Sequence, residues 1–175
     1  ALAEPGAEQL IPLLDGTDAM YCGFAYEGAA MALALLDLVT PWNRSRLQQL
    51  LDSPAGDAHV YMLYIGAGWA IARIPWARRK FERALSRFHP LYRWLALDGY
   101  GFHQGFFDLN EYGMRQIPPR GLSPRAARVF DQGLGRSLWF SQGADPERIA
   151  ATISAFPASR QSDLWSGAGL AASYA

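Results

Sequence analysis

The chain has 175 residues, half of them apolar, and its sixteen basic and sixteen acidic side chains cancel. That length and apolar content fit a folded chain with its own core and exclude intrinsic disorder, while the charge balance supplies no field to draw in nucleic acid. The single cysteine, Cys22, excludes an internal disulfide framework and fits a buried thiol in a reducing compartment.

In chain order, the first predicted helix is Phe24 to Leu36, apolar nearly all round. A polar helix follows at Asn43 to Asp52, then a break at Ser53-Pro54-Ala55-Gly56-Asp57, then a second apolar helix at Tyr61 to Ile74. Phe81, Leu85 and Phe88 form an i, i+4, i+7 stripe that stops at Pro90. The Asp98-Gly99-Tyr100-Gly101 string marks a further buried helix, and the Pro- and Gly-rich stretch between Gly105 and Ser123 predicts a long loop. Pro146 to Phe156 should be a helix capped by Asp145 and ended by Pro157. Leu164 to Tyr174 is the last apolar helix.

The apolar helices share one pattern: Gly28 with Ala30, Gly66 with Gly68, Gly99 with Gly101, Gly133 with Gly135, and Gly167 with Gly169. The first glycines are 38, 33, 34 and 34 residues apart, the mark of a repeat array. The expected fold is therefore all-α: a helical-hairpin array of about five repeats of ~34 residues, a curved solenoid or partial α/α toroid, forming one domain over residues 1–175. A glycine inside a helix costs about 1 kcal/mol relative to alanine. Positions i and i+2 face nearly opposite ways, so each pair should clear space on two flanks, one for the helix of its own repeat and one for the neighbouring repeat.

The longest apolar run, Val60 to Ala72, is too short to cross a bilayer, and Asp37 interrupts Met31 to Val39, so no transmembrane segment is expected. No signal peptide opens the chain, and a cytoplasmic location is expected. Ala1 in place of methionine, and an end at Ala175 with no polar cap, read as a piece of a longer chain.

Few motifs point to chemistry. Tyr61 to Gly68, with Ala72 beyond, imitates a dinucleotide-binding turn, but the same G-x-G recurs at one phase in four copies, which favours helix packing. Asp98 and His103 are the acid–base candidates, being a carboxylate and an imidazole on one buried helix; a satisfied core histidine is the plainer meaning of His103. The residue before each first glycine is Glu27, Ile65, Asp98, Gln132 or Ser166, polar in four of five cases, so it either lines a shared ligand groove or hydrogen-bonds between repeats. Asp131 and Arg136 add to such a lining or form an ion pair with each other. Trp69, Trp94, Tyr100, Phe102, Phe106, Phe107, Trp139 and Trp165 fill a core or wall a site for a flat ligand.

Other chemistry is set aside. Three histidines and one cysteine show no metal-ligand spacing, so no metal and no cofactor is expected. No G-x-S-x-G elbow is present. Arg78-Arg79-Lys80 with Arg83 and Arg87 reads as a solvated face, and Asn43-Arg44-Ser45 as a sequon without secretory context.

The strings from Gly23 to Ala32, Ile65 to Ala70, Leu97 to His103, Phe130 to Phe140 and Asp163 to Gly167 resemble a bacterial family of unknown function. Members of that family accompany the polyketide synthase genes of enediyne natural products. The resemblance covers the chain from Gly23 onward and brings no catalytic residues with it. It implies a role in making or handling an enediyne core or its polyene precursor. Three functions follow as expectations. One is an accessory protein that binds a hydrophobic unsaturated intermediate or a biosynthetic enzyme, with Glu27, Trp69, Tyr100, Asp131, Gln132, Arg136 and Trp165 as contacts. The second is a cyclase or isomerase using Asp98 and His103, and the third an adaptor presenting the loop from Asn110 to Gly121.

Overall fold

The computed structural model describes residues 7–40, 42, 45–79 and 81–174, and every regular element among them is helical. Two compact units divide the chain, Ala1–Ala84 and Leu85–Ala175.

In the first unit, α1 (Ala7–Asp15) leads to α2 (Ala19–Val39), which starts where Asp18 accepts from the Met20 amide at 2.9 Å. Two short helices, α3 (Arg46–Leu51) and α4 (Pro54–Ala58), precede α5 (Val60–Arg73), with α6 (Pro75–Arg79) after it. The expected break at Ser53–Asp57 is instead α4: Ser53 Oγ accepts from the Gly56 amide at 3.0 Å, with Pro54 opening the turn. Gly56 is required there, because a side chain would collide with the Leu50 and Leu51 carbonyl oxygens.

Asp37 explains how a carboxylate sits in an apolar helix. Its Oδ1 accepts from the Arg46 amide and guanidinium, both at 3.3 Å, and its Oδ2 from the Leu47 amide at 3.1 Å. The α2 carboxylate thus caps α3, whose own Ser45 makes no side-chain cap. Residues Asn43 and Arg44, and with them the start of the predicted polar helix and most of the sequon, lie outside the described residues, as do the side chains of Arg78, Arg79, Lys80 and Phe81.

In sequence α7 (Phe81–Leu85) ends at the boundary between the units, and the second unit holds α8 (Arg93–Phe107), α9 (Pro124–Ser141), α10 (Pro146–Ser154) and α11 (Ala158–Ala172). Capping follows the sequence closely. Ser123 Oγ accepts from the Ala126 amide at 3.3 Å, and Asp145 accepts from the amides of Glu147 and Arg148. The stretch after α8 is not all loop: Asn110–Met114 winds into one π-helical turn before irregular chain runs to Ser123. That irregular chain is held in place, since Gln116 donates to the Ala155 carbonyl at 3.1 Å and Arg160 donates to the Gln116 carbonyl at 2.8 Å.

The glycines decide how the long helices meet. A side chain at Gly66 on α5 would strike the Glu27 carbonyl oxygen of α2. On α9, one at Gly133 would strike the Asp98 carbonyl oxygen of α8, and one at Gly135 the Leu164 carbonyl oxygen of α11. The contacts are reciprocal, with Gly101 of α8 against the Phe130 carbonyl and Gly167 of α11 against the Gln132 carbonyl. Two glycines two residues apart do serve opposite flanks of one helix. Both flanks, however, are taken by glycine-bearing helices, not by one of these and the polar helix of the same hairpin. The fit is main chain against main chain, and this close packing opposes the helix-propensity loss.

Candidate functional site

On α8, Asp98 and Phe102 lie one turn apart and both turn toward α9. Asp98 is 2% exposed and Arg136 4%, and the guanidinium grips a single carboxylate oxygen, Nε at 2.9 Å and Nη2 at 2.6 Å from Oδ1. Arg136 Nη1 also donates to the Tyr174 hydroxyl at 3.0 Å, and its plane lies 4.6 Å from the centre of the Phe102 ring. Among the described residues no donor reaches Asp98 Oδ2. Burial pushes the Asp98 carboxyl above its ordinary range while the Arg136 charge and hydrogen bond pull it down, and burial prevails.

Rings gather around this pair. Phe102 stacks on Phe106 at 5.8 Å and meets Phe140 edge-on at 5.6 Å, and Phe140 lies 6.3 Å from Tyr174. Phe107 closes the group against Phe106 at 5.2 Å and His103 at 4.7 Å. The inner ring, Phe102, is buried, whereas Phe106 is 41% exposed and Tyr174 44%. The result is an aromatic shelf with a buried ion pair behind it.

The other sequence candidates go elsewhere. Asp131 does not pair with Arg136; its two oxygens take Arg160 in a fork, Nη2 at 2.6 Å and Nε at 2.8 Å. His103 is buried and meets Gln104 Oε1 at 3.1 Å through Nδ1, and Gln104 in turn donates to the Tyr112 hydroxyl at 2.8 Å. Asp98 and His103 therefore have separate partners. Tyr100 packs against Phe130 at 5.6 Å. Gln132 is half-buried and contributes its carbonyl to the Gly167 contact, as Glu27 does for Gly66. The position before the first glycine thus has a main-chain task in both units. Trp69 is half-buried on α5, and Trp165 is 46% exposed, so neither is a fully enclosed core ring. Trp94 lies between the guanidiniums of Arg93 and Arg125, at 5.0 and 4.4 Å from its ring centre.

Sequence reading missed Phe140, Tyr174 and Arg160. The signal was present: Phe106, Phe140 and Tyr174 are 34 residues apart, in step with the glycines. In the first unit Cys22 is half-exposed, not buried, with its sulfur 3.9 Å from His59 Nε2 and donating to the Leu14 carbonyl at 3.7 Å. His59 stacks on Tyr26 at 4.0 Å, and burial, helped by a hydrogen bond to Asp15, raises the Tyr26 phenol. No group of metal-binding side chains occurs among the described residues.

Among the described residues one helix, α2, is long and apolar enough, by length and composition, to cross a membrane. The apolar run legible in the sequence, Met31 to Val39, is only the second half of this helix, which starts at Ala19.

A model of a protein family described as of unknown function, DUF1702, matches residues 1–175. The chain belongs to the DUF1702 family. No curated protein and no solved structure is significantly similar to it.

Proposed function

We propose that this DUF1702 member is a non-catalytic accessory protein, built of stacked helical hairpins, that holds a hydrophobic unsaturated polyketide intermediate. The resemblance of its glycine-bearing strings to the enediyne-associated family supports a polyene as the cargo. The observation that carries the binding function is the shelf of Phe106 on α8, Phe140 on α9 and Tyr174 just past α11, three rings at one repeat position, the first two joined through Phe102 and the third resting on Phe140. Conjugated chains are flat and polarisable, and aromatic faces bind such surfaces by area and stacking. Asp98 is committed to the buried Arg136 and Asp131 to the half-buried Arg160, which favours binding over proton transfer.

Titration with parinaric acid, a fluorescent conjugated fatty acid, tests this. Wild type should bind, and Phe106→Ala with Phe140→Ala should weaken binding at least tenfold, since losing two rings at about 1 kcal/mol or more each is worth more than one decade. Equal binding by wild type and the double variant would refute the shelf. A second reading, an isomerase or cyclase, rests on Asp98 Oδ2, a buried acceptor with no donor on a carboxyl that burial raises. A product change in a polyene that disappears in Asp98→Asn would establish that reading instead.

A further inference from the structure

Three segments of the first unit bring a thiol, an imidazole and a phenol together. Cys22 and Tyr26 lie one turn apart on one side of α2, and His59 closes α4 and opens α5. The Cys22 sulfur is 3.9 Å from His59 Nε2 and 3.7 Å from the Leu14 carbonyl oxygen of α1.

The thiol's single hydrogen thus has two acceptors within the range that sulfur allows. They differ in what they can do. A carbonyl oxygen holds the sulfur in place, whereas an imidazole nitrogen can also remove the proton. The imidazole is itself oriented: its ring stacks on Tyr26 with centroids 4.0 Å apart and planes 15° from parallel. Tyr26 is buried, and its hydroxyl donates to Asp15 Oδ1 at 2.7 Å. A nucleophile beside a base, with the base set by a third group, is the arrangement that activates a cysteine.

Packing alone does not ask for these contacts. A cysteine that only fills space is among the most enclosed of residues and makes no use of a partner at its sulfur. Cys22 is partly open instead, and so is His59. The contacts of the sulfur run to α1 and to the α4–α5 junction, both among the described residues.

We propose that Cys22 and His59 form a covalent attachment site for conjugated carbonyl compounds, with Cys22 as the nucleophile and His59 as its base. Sγ bonds to the β-carbon of the acceptor while the thiol proton passes to Nε2. The π electrons move onto the carbonyl as an enolate, and the α-carbon then takes a proton back from Nε2. Nothing is expelled and nothing is oxidised or reduced, so the step closes with these two side chains and the acceptor. Addition asks for only these groups, whereas acyl transfer also needs donors aimed at an oxyanion. The site lies in the first unit, and its chemistry makes no use of the aromatic shelf of the second.

The probe is pentyl vinyl ketone, an apolar enone, and the readout is intact mass followed over time, with the chain folded at pH 7 and again unfolded in urea. In the unfolded chain the thiol is fully exposed but has lost His59, so that rate measures what exposure alone supplies. Folded wild type should form its adduct roughly tenfold or more faster than the unfolded chain, and faster by a similar factor than folded His59→Gln. Cys22→Ser should lack that fast adduct. A folded rate no greater than the unfolded one overturns the proposal with no variant needed. So does a His59→Gln variant, shown folded by circular dichroism, that reacts as fast as wild type, or an adduct that forms as fast in Cys22→Ser.

Discussion

Gly167 and Gly169 are two residues apart on α11, yet the same substitution should move stability in opposite directions. At Gly167, an alanine Cβ collides with the Gln132 carbonyl oxygen and lies 2.6 Å from the Arg136 amide nitrogen. Both atoms belong to the α9 main chain and cannot rotate away. To restore the ~3.5 Å of ordinary non-bonded contact with the carbonyl oxygen, α11 has to retreat by well over 1 Å. A gap of that size forfeits about half or more of each contact across it, which puts the cost at the upper end, about 3 kcal/mol, of what overpacking takes. Against that, alanine returns about 1 kcal/mol of helix propensity. The net loss for Gly167→Ala is about 2 kcal/mol, or roughly 4–8 °C in melting temperature for a chain this size. Gly169→Ala meets nothing within 4 Å and keeps the propensity gain, a rise of about 2–4 °C. Thermal melts followed by far-UV circular dichroism read both values. Shifts of the same sign for the two variants would refute the packing argument.

Asp98→Ala strands a buried Arg136 and should cost about 3–5 kcal/mol in urea unfolding, whereas replacing the pair together as Asp98→Leu with Arg136→Met should recover most of it. Because burial raises the Asp98 carboxyl, the folded state holds that proton more tightly than the unfolded chain does. Its share of stability is therefore full at low pH and falls as pH climbs from about 4 through the folded value; the slope should vanish in Asp98→Asn. Tyr26 behaves likewise at the alkaline end: its phenol is raised, so above the unfolded value of about 10 wild type should lose about 1.4 kcal/mol per pH unit. Tyr26→Phe should lack that loss while giving up about 1 kcal/mol at neutral pH with the bond to Asp15, measured as urea midpoints on either side of pH 10.

Helices were legible wherever local chemistry fixes them. Asp145-Pro146 announced α10, and the apolar runs announced α2, α5 and α11 to within a turn or so at one or both ends. Ser53-Pro54 carries the same cap-and-proline signal as Ser123-Pro124, so the expected break at Ser53–Asp57 is a short helix instead. The glycine spacing foretold close approach on two flanks, yet could not say which helices supply the flanks, since that depends on chain geometry beyond one hairpin. Charge pairing was the least legible layer. Asp131 and Arg136 are neighbours in sequence, and each pairs across to a different helix, at Arg160 and Asp98. Side chains five apart on a helix diverge by well over a right angle, which also separates Asp98 from His103.

The carbonyl-on-glycine seats described for α8, α9 and α11 make no use of side-chain identity beyond the absence of one. Substitution elsewhere on those helices can therefore retune shape and polarity without disturbing how far apart the rods stand. Helices spaced in this way form a rack of fixed pitch, and the rings at Phe106, Phe140 and Tyr174 are fittings on it that can be exchanged for others without resetting that pitch.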